Sequence, residues 1–217
     1  MSRGIWMPGN RKKDCPLSKL KSMLNKITEE KFLPLSLEIR TLFEERIRDD
    51  KQLEECAESI LEKAIQEPGY CSLYAQLCQF LSEERKTFKM VLLHTCQKIF
   101  QNVLDCQERW RGKRILGCVQ IIGELYNINL IPSKIIFCDV ARRLVLEKSD
   151  LSLDALCQLL TRTGRKMDEH STVAINLNVY FAFLEKFQKD EQLSSRIRFL
   201  ILDLLDLRKA KWQKINV

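Results

Sequence analysis

The chain has 217 residues, 45% hydrophobic and 30% charged, with 36 Lys and Arg against 29 Asp and Glu for a formal charge of +7. That balance excludes a disordered polymer and leaves room for one domain or a short array of repeats. Gly and Pro are few, at 7 and 5, and no apolar run approaches the roughly 20 residues that span a bilayer, so the expectation is a soluble, intracellular, all-α protein without a membrane segment.

Residues 1–14 carry the basic run Arg11 to Lys13, lack a signal-peptide core, and read as a disordered tail. Leu17, Leu20, Leu24 and Ile27 make the first helical stripe. Thr28 is placed to cap a second helix carrying Phe32, with Glu29 and Glu30 in its first turn. Pro34 then predicts a kink or a restart, since interior Pro costs about 3 kcal/mol. A third helix runs from about Lys51 to Gln66 on Leu53, Cys56, Ala57, Ile60 and Ala64, until "EPGY" stops it. Residues 70–84 and 87–104 form the fourth and fifth. The sixth, "KRILGCVQIIGELY", is apolar nearly all round and should be buried centrally. Pro132 starts the seventh; Ser152 or Asp150 caps the eighth and Gly164 ends it. Val173 to Lys189 is the ninth, Ser194 to Trp212 the tenth, and 213–217 a short tail.

About ten helices with short connections favour antiparallel neighbours. Paired as five hairpins of roughly 40 residues, they have the period of HEAT-type repeats, without self-similarity in the letters.

Little here points to catalysis. Nine cysteines are an odd number, with no CxxC pair, and Cys56, Cys118 and Cys157 fall at core positions, where Cys acts as a small hydrophobe. His94 and His170 have no clustered partners, so no metal site, no disulfide framework and a reducing compartment are expected. His94 and Cys96, two apart on a helix, do not face each other. P-loop, GxSxG, HExxH and GxGxxG motifs are absent, and the expectation is an adaptor without catalytic residues or cofactor, working through exposed edges and loops.

Two stretches carry candidate binding residues. "ERWRGKR" clusters Arg109, Arg111, Lys113 and Arg114 around Trp110, fit for weak, electrostatic RNA binding without sequence preference, or simply for a solvated loop. In the last helix Ile197, Leu200, Ile201, Leu204 and Leu207 share one stripe, whereas Phe199 lies roughly 200° from Ile197, beside Asp203 and Asp206. Flanked by Arg196 and Arg198, it is either an interface anchor or part of a second buried face.

Five strings in order, "SMLNKITEEKF", "EKAIQEPGYCSLYAQLC", "KRILGCVQIIGELYNINLI", "LDALCQLLTRTGRKMD" and "SSRIRFLILDLLDLRKAKW", resemble the middle domain of eukaryotic translation initiation factor 4 gamma. The resemblance covers 15–212 and implies a right-handed α-solenoid of about five antiparallel HEAT-type hairpins. It implies a scaffold, not an enzyme, that binds the DEAD-box RNA helicase initiation factor 4A and RNA, orients the helicase lobes and helps bring mRNA to ribosomes in the cytoplasm. Other initiation-complex subunits are further expected partners. By the same resemblance Leu24, Ile27, Phe32 and Phe199 occupy helicase-contact positions, although Leu24 and Ile27 also lie on a core stripe. Alternatives are a regulator competing with factor 4 gamma for the helicase and a nuclear RNA-processing scaffold.

Departures from the pattern are Pro34, a short "DCQERWRGK" loop, and Gln120 where a basic residue is common. Tyr70, Tyr74, Tyr126 and Tyr180 all fail the Tyr-x4-Leu pattern of a cap-binding-protein motif. The chain ends five residues after Trp212, so a stand-alone middle domain, an isoform or an excised fragment is expected.

Overall fold

The computed structural model describes residues 15–106 and 111–213, which leaves the 1–14 stretch, Arg109, Trp110 and 214–217 outside. Ten helices account for the regular structure among the described residues, apart from one short 3-10 turn. They are α1 (Pro16–Leu24), α2 (Phe32–Arg46), α3 (Asp50–Gln66), α4 (Cys71–Glu84), α5 (Lys86–Asp105), α6 (Arg111–Asn127), α7 (133–147), α8 (Asp150–Asp168), α9 (Ser171–Gln188) and α10 (Ser195–Lys209). Consecutive helices pair as five hairpins.

Local chemistry sets the boundaries. Asp49 caps α3 by accepting from the Gln52 amide at 2.7 Å. At α8 the cap is Ser149, not Ser152 or Asp150. Ser149 and Ser152 form a reciprocal capping box, which satisfies two orphan amides at once. Nor does Pro34 kink α2. The helix begins at Phe32, so Pro34 sits in the first turn, where its missing N–H would have had no intrahelical partner. Thr28 instead closes the preceding turn, accepting from the Lys31 amide at 3.4 Å. Within α7, residues Ile136–Ala141 adopt a π-helical turn that the periodicity did not foretell.

Gly164 does not end α8, which runs on to Asp168. Its role is close approach. A Cβ there would lie 2.0 Å from Cη2 of Trp212. The chain after α10 turns back through left-handed Lys211 (φ 52°) and Trp212 (φ 62°), with the Trp212 amide donating to the Leu207 carbonyl at 2.8 Å. The indole then lies edge-on to Phe181, ring centroids 6.1 Å apart, and donates from Nε1 to Asp168 at 2.8 Å.

Stacking of the hairpins gives two layers. In one, α2, α4, α6, α8 and α10 follow each other in contact, with α6 against α8 the most extensive pair. In the other, α1, α3 and α5 stack closely, but α5 and α7 meet thinly, a Gln97 to Asp139 hydrogen bond of 3.0 Å crossing between them. Helix α6 is central as expected: it packs on α3, α4, α5 and α8 and buries Ile115, Cys118, Val119, Ile121, Ile122 and Leu125. Gly117 lets it touch α3, because a Cβ there would sit 2.4 Å from the Ile65 carbonyl oxygen. One core runs from Leu20 to Leu205. Tyr74, fully buried, ties the second hairpin to the first: its hydroxyl donates to Glu67 at 2.6 Å and lies 3.4 Å from the Leu24 carbonyl.

No disulfide joins cysteines among the described residues, and burial pushes the Cys56, Cys71 and Cys157 thiols up to about 12. Cys56 and Cys157 are core residues on α3 and α8, and the raised values keep them protonated and unreactive near neutral pH.

Candidate partner-binding surfaces

The last helix is held by Ser194, whose hydroxyl accepts from the Ile197 amide at 3.4 Å. Ile197, Ile201, Leu204 and Leu205 face the core. Leu200 and Leu207 are only partly covered, because the buried stripe is turned slightly toward Leu205. Phe199 is 66% exposed. The second covered face suggested by the sequence takes Leu202, which is half-buried, and leaves Phe199 outside.

Around that ring the charges are fixed rather than loose. Arg196, three residues before it, reaches Asp154 of α8 at 2.6 Å. That carboxylate is buried and also accepts from Gln158 at 2.9 Å, so it anchors an arginine whose own side chain is 72% exposed. Arg198 is half-buried. Its Nη2 donates to Ser195 at 3.3 Å, while its Nε is enclosed without a hydrogen-bond partner among the described residues. Beyond it, the Lys148 ammonium 2.6 Å from Asp190 holds that carboxyl below the usual range.

At the first hairpin the structure corrects the sequence reading. Leu24 is 1% exposed and Ile27 5%, so both are core residues with no surface to offer a partner. Phe32 is partly buried against the same core. What α2 does present is Leu33, 63% exposed, and Leu37, one turn on. Sequence reasoning missed them because every second residue from Leu33 to Leu37 is a leucine. The helix phase, and hence which leucines point outward, depends on the start at Phe32, which the expected break at Pro34 obscured.

Arg111, Lys113 and Arg114 of the basic stretch lie in the first turn of α6 rather than in a loop, and pairing changes two of them. Arg114 makes a two-pronged contact with Glu62 of α3 at 2.6 and 3.0 Å, and Arg111 contacts Glu147 at 2.6 Å. Lys113 is exposed and unpaired among the described residues. Arg109 and Trp110 lie outside them.

No helix among the described residues is long and apolar enough to cross a membrane. No group of three or more His, Cys, Asp or Glu there is placed to hold a metal ion.

A two-layer stack of five helical hairpins, matched from residue 17 to 211 by a family model described as the MIF4G domain, decides the classification. The chain belongs to the MIF4G domain family.

This MIF4G domain is 30% identical over 228 residues to the eukaryotic translation initiation factor 4G of Oryza sativa subsp. japonica, covering 90% of this chain and 12% of that protein. It is also 30% identical over 233 residues to eukaryotic translation initiation factor 4 gamma 1 of Mus musculus, covering 89% of this chain and 14% of that protein. The chain thus spans a small fraction of these relatives. A von Willebrand factor A domain-containing protein of Dictyostelium discoideum is 29% identical over 222 residues, covering 92% of this chain and 10% of that protein. Within the MIF4G domain, Phe199 and the Leu33–Leu37 pair stand on the last and first hairpins and do not form one site.

Proposed function

We propose that this MIF4G domain is a translation-initiation scaffold that binds the DEAD-box RNA helicase initiation factor 4A, biases the orientation of its two lobes, and acts in the cytoplasm as an adaptor with no catalysis of its own. The observation that carries the reading is the exposure of Phe199 at the helicase-contact position that the factor 4 gamma resemblance implies, with Arg196 held beside it by Asp154. An exposed aromatic bordered by a fixed arginine has the make-up of an interface anchor. On the first hairpin the contact passes from Leu24 and Ile27 to Phe32, Leu33 and Leu37. Weak RNA binding through Lys113, with Arg109, Trp110, Arg111 and Arg114 around it, belongs to the same proposal. A phosphate there has to compete with Glu62 and Glu147 for the two paired guanidiniums.

Phe199→Ala tests the reading. Loss of a central aromatic anchor costs about 2 kcal/mol or more of binding, roughly thirtyfold in helicase affinity by calorimetry. Removing an exposed side chain moves folding stability by no more than about 0.5 kcal/mol. Unchanged helicase affinity, or no helicase binding by the parent protein, defeats the proposal. In a cap-dependent translation extract, stimulation supports the scaffold, and dose-dependent inhibition supports a competitor of factor 4 gamma.

A further inference from the structure

A groove of about 530 Å³ opens between the end of α3, the turn after it, the start of α6 and the middle of α8. That size falls in the roughly 300–1,000 Å³ range of small-ligand sites. Pro68 and Leu116 belong to an apolar lining, and no acidic residue is among the described residues that line it. Lys113, exposed and unpaired among the described residues, lines it too. Arg114 is the second cation there, but it is already held. Its two-pronged contact with Glu62, at 2.6 and 3.0 Å, occupies two of its nitrogens. Such a contact lies in the guanidinium plane and leaves the faces of that plane free of it. The side chain is 39% exposed. Pairing thus turns Arg114 from a phosphate ligand into a fixed plate. Two glutamines complete the lining. Gln120 donates from Nε2 to the Pro68 carbonyl at 2.8 Å, and Gln158 from Nε2 to Asp154 at 2.9 Å. Each amide spends its nitrogen on the protein and keeps its carbonyl oxygen as an acceptor.

We infer that this groove takes one nucleotide of a single-stranded RNA, with its base against the Arg114 guanidinium, an exocyclic amino group on the Gln120 or Gln158 oxygen, and its phosphate on Lys113. This subsite rests on the RNA binding proposed above and gives it a place for a base. Single-stranded RNA is recognised by such parts: unstacked bases lie on aromatic rings or guanidinium planes and hydrogen-bond along their edges. Adenine and cytosine carry an exocyclic amino donor, whereas uracil has a carbonyl in that place, which the glutamine oxygens repel. Contacts to phosphate alone carry no base preference. The groove adds one for adenine and cytosine. A peptide carboxylate would also suit Lys113, but an aliphatic side chain has no use for a fixed guanidinium plate or for amide acceptors.

Fluorescence anisotropy with oligo(A), oligo(C) and oligo(U) of one length, and with an abasic chain carrying the same phosphates, tests this. Oligo(A) and oligo(C) should bind about tenfold tighter than the abasic chain, within the range of one stacked base, and several-fold tighter than oligo(U). Arg114→Lys keeps the charge and loses the plane, so it should abolish the advantage over the abasic chain and leave the salt slope as it is. Glu62→Ala frees the guanidinium for phosphate, so the abasic chain should bind more tightly and the salt slope should steepen by about one. Thermal unfolding checks that both variants are folded, and the comparison among the four chains needs neither of them. If no RNA binds, the RNA reading falls and the subsite with it. If the four chains bind alike, the RNA reading stands and the subsite alone is overturned. An Arg114→Lys protein that keeps the full advantage of base-bearing RNA overturns it too. So does a peptide of alternating Asp and Leu that displaces oligo(A) and binds more tightly than it, which assigns the groove to a protein ligand.

Discussion

Replacing Gly164 by Ala reads the packing of Trp212 directly. Gly164 has no positive φ, so the backbone accepts alanine, and in a helix interior that change alone gains about 1 kcal/mol. The indole decides the sign. The new Cβ would lie 2.0, 2.5 and 2.7 Å from three carbons of a rigid ring that cannot bend away, so Trp212 must leave. With it go the contact with Phe181 and the hydrogen bond to Asp168. Truncating a fully buried Trp costs about 3 to 5 kcal/mol. Trp212 is only partly buried, so about 2 to 3 kcal/mol is appropriate, for a net loss of about 1 to 2 kcal/mol. In a domain of this size that lowers the melting temperature by about 3 to 6 °C. Urea and thermal unfolding of Gly164→Ala, Trp212→Ala and the double variant form the assay. With Trp212 already gone, Gly164→Ala should become stabilising by about 1 kcal/mol, because only the helix propensity remains. A Gly164→Ala protein that melts above the parent, or one equally destabilised with and without Trp212, refutes the reasoning.

Leu24→Ala should lower stability by about 2 to 5 kcal/mol in urea unfolding, the cost of a core cavity, and should not act as a selective helicase-binding variant. RNA affinity, measured by fluorescence anisotropy, should fall linearly on a log–log plot against salt, and Lys113→Ala should make the slope shallower. Burial pushes the Asp168 carboxyl up, but hydrogen bonds from Arg208 and Trp212 outweigh it and leave it below its ordinary value of 3.8. Its contribution is therefore complete above that value and lost as pH falls through the lower folded value. Asp168→Asn should lose less stability than the parent between about pH 5 and pH 2 in acid unfolding.

Helix number and the central place of α6 were legible because long apolar periods dominate this chain and turn residues separate them. Gly164 misled for a physical reason. In sequence, a glycine that ends a helix and one that admits a neighbouring ring look alike, and only Trp212, 48 residues on, distinguishes them. The face of α10 was readable because Phe199 falls clear of the stripe. On α2 the leucines at 33, 35 and 37 fit more than one phase, and the turn before Phe32 chose among them. The ion pairs of Arg111 and Arg114 join residues 36 and 52 positions apart, so no local pattern could show that the basic start of α6 is already partly neutralised.

The thin meeting of α5 with α7 has a mechanical consequence. On one side of the stack, α6 and α8 are bound along their lengths. On the other, α5 and α7 meet thinly, the contact of Gln97 with Asp139 crossing between them and the ion pair of Arg111 with Glu147 tying α6 to the end of α7. A beam glued along one edge and notched on the other flexes at the notch. The joint between the third and fourth hairpins is therefore a compliant point of the array, with the α6–α8 seam as its pivot. A few degrees of opening there swing Phe199 on one arm relative to Leu33 on the other. The distance between the two exposed apolar positions is then adjustable at small cost, without repacking either end.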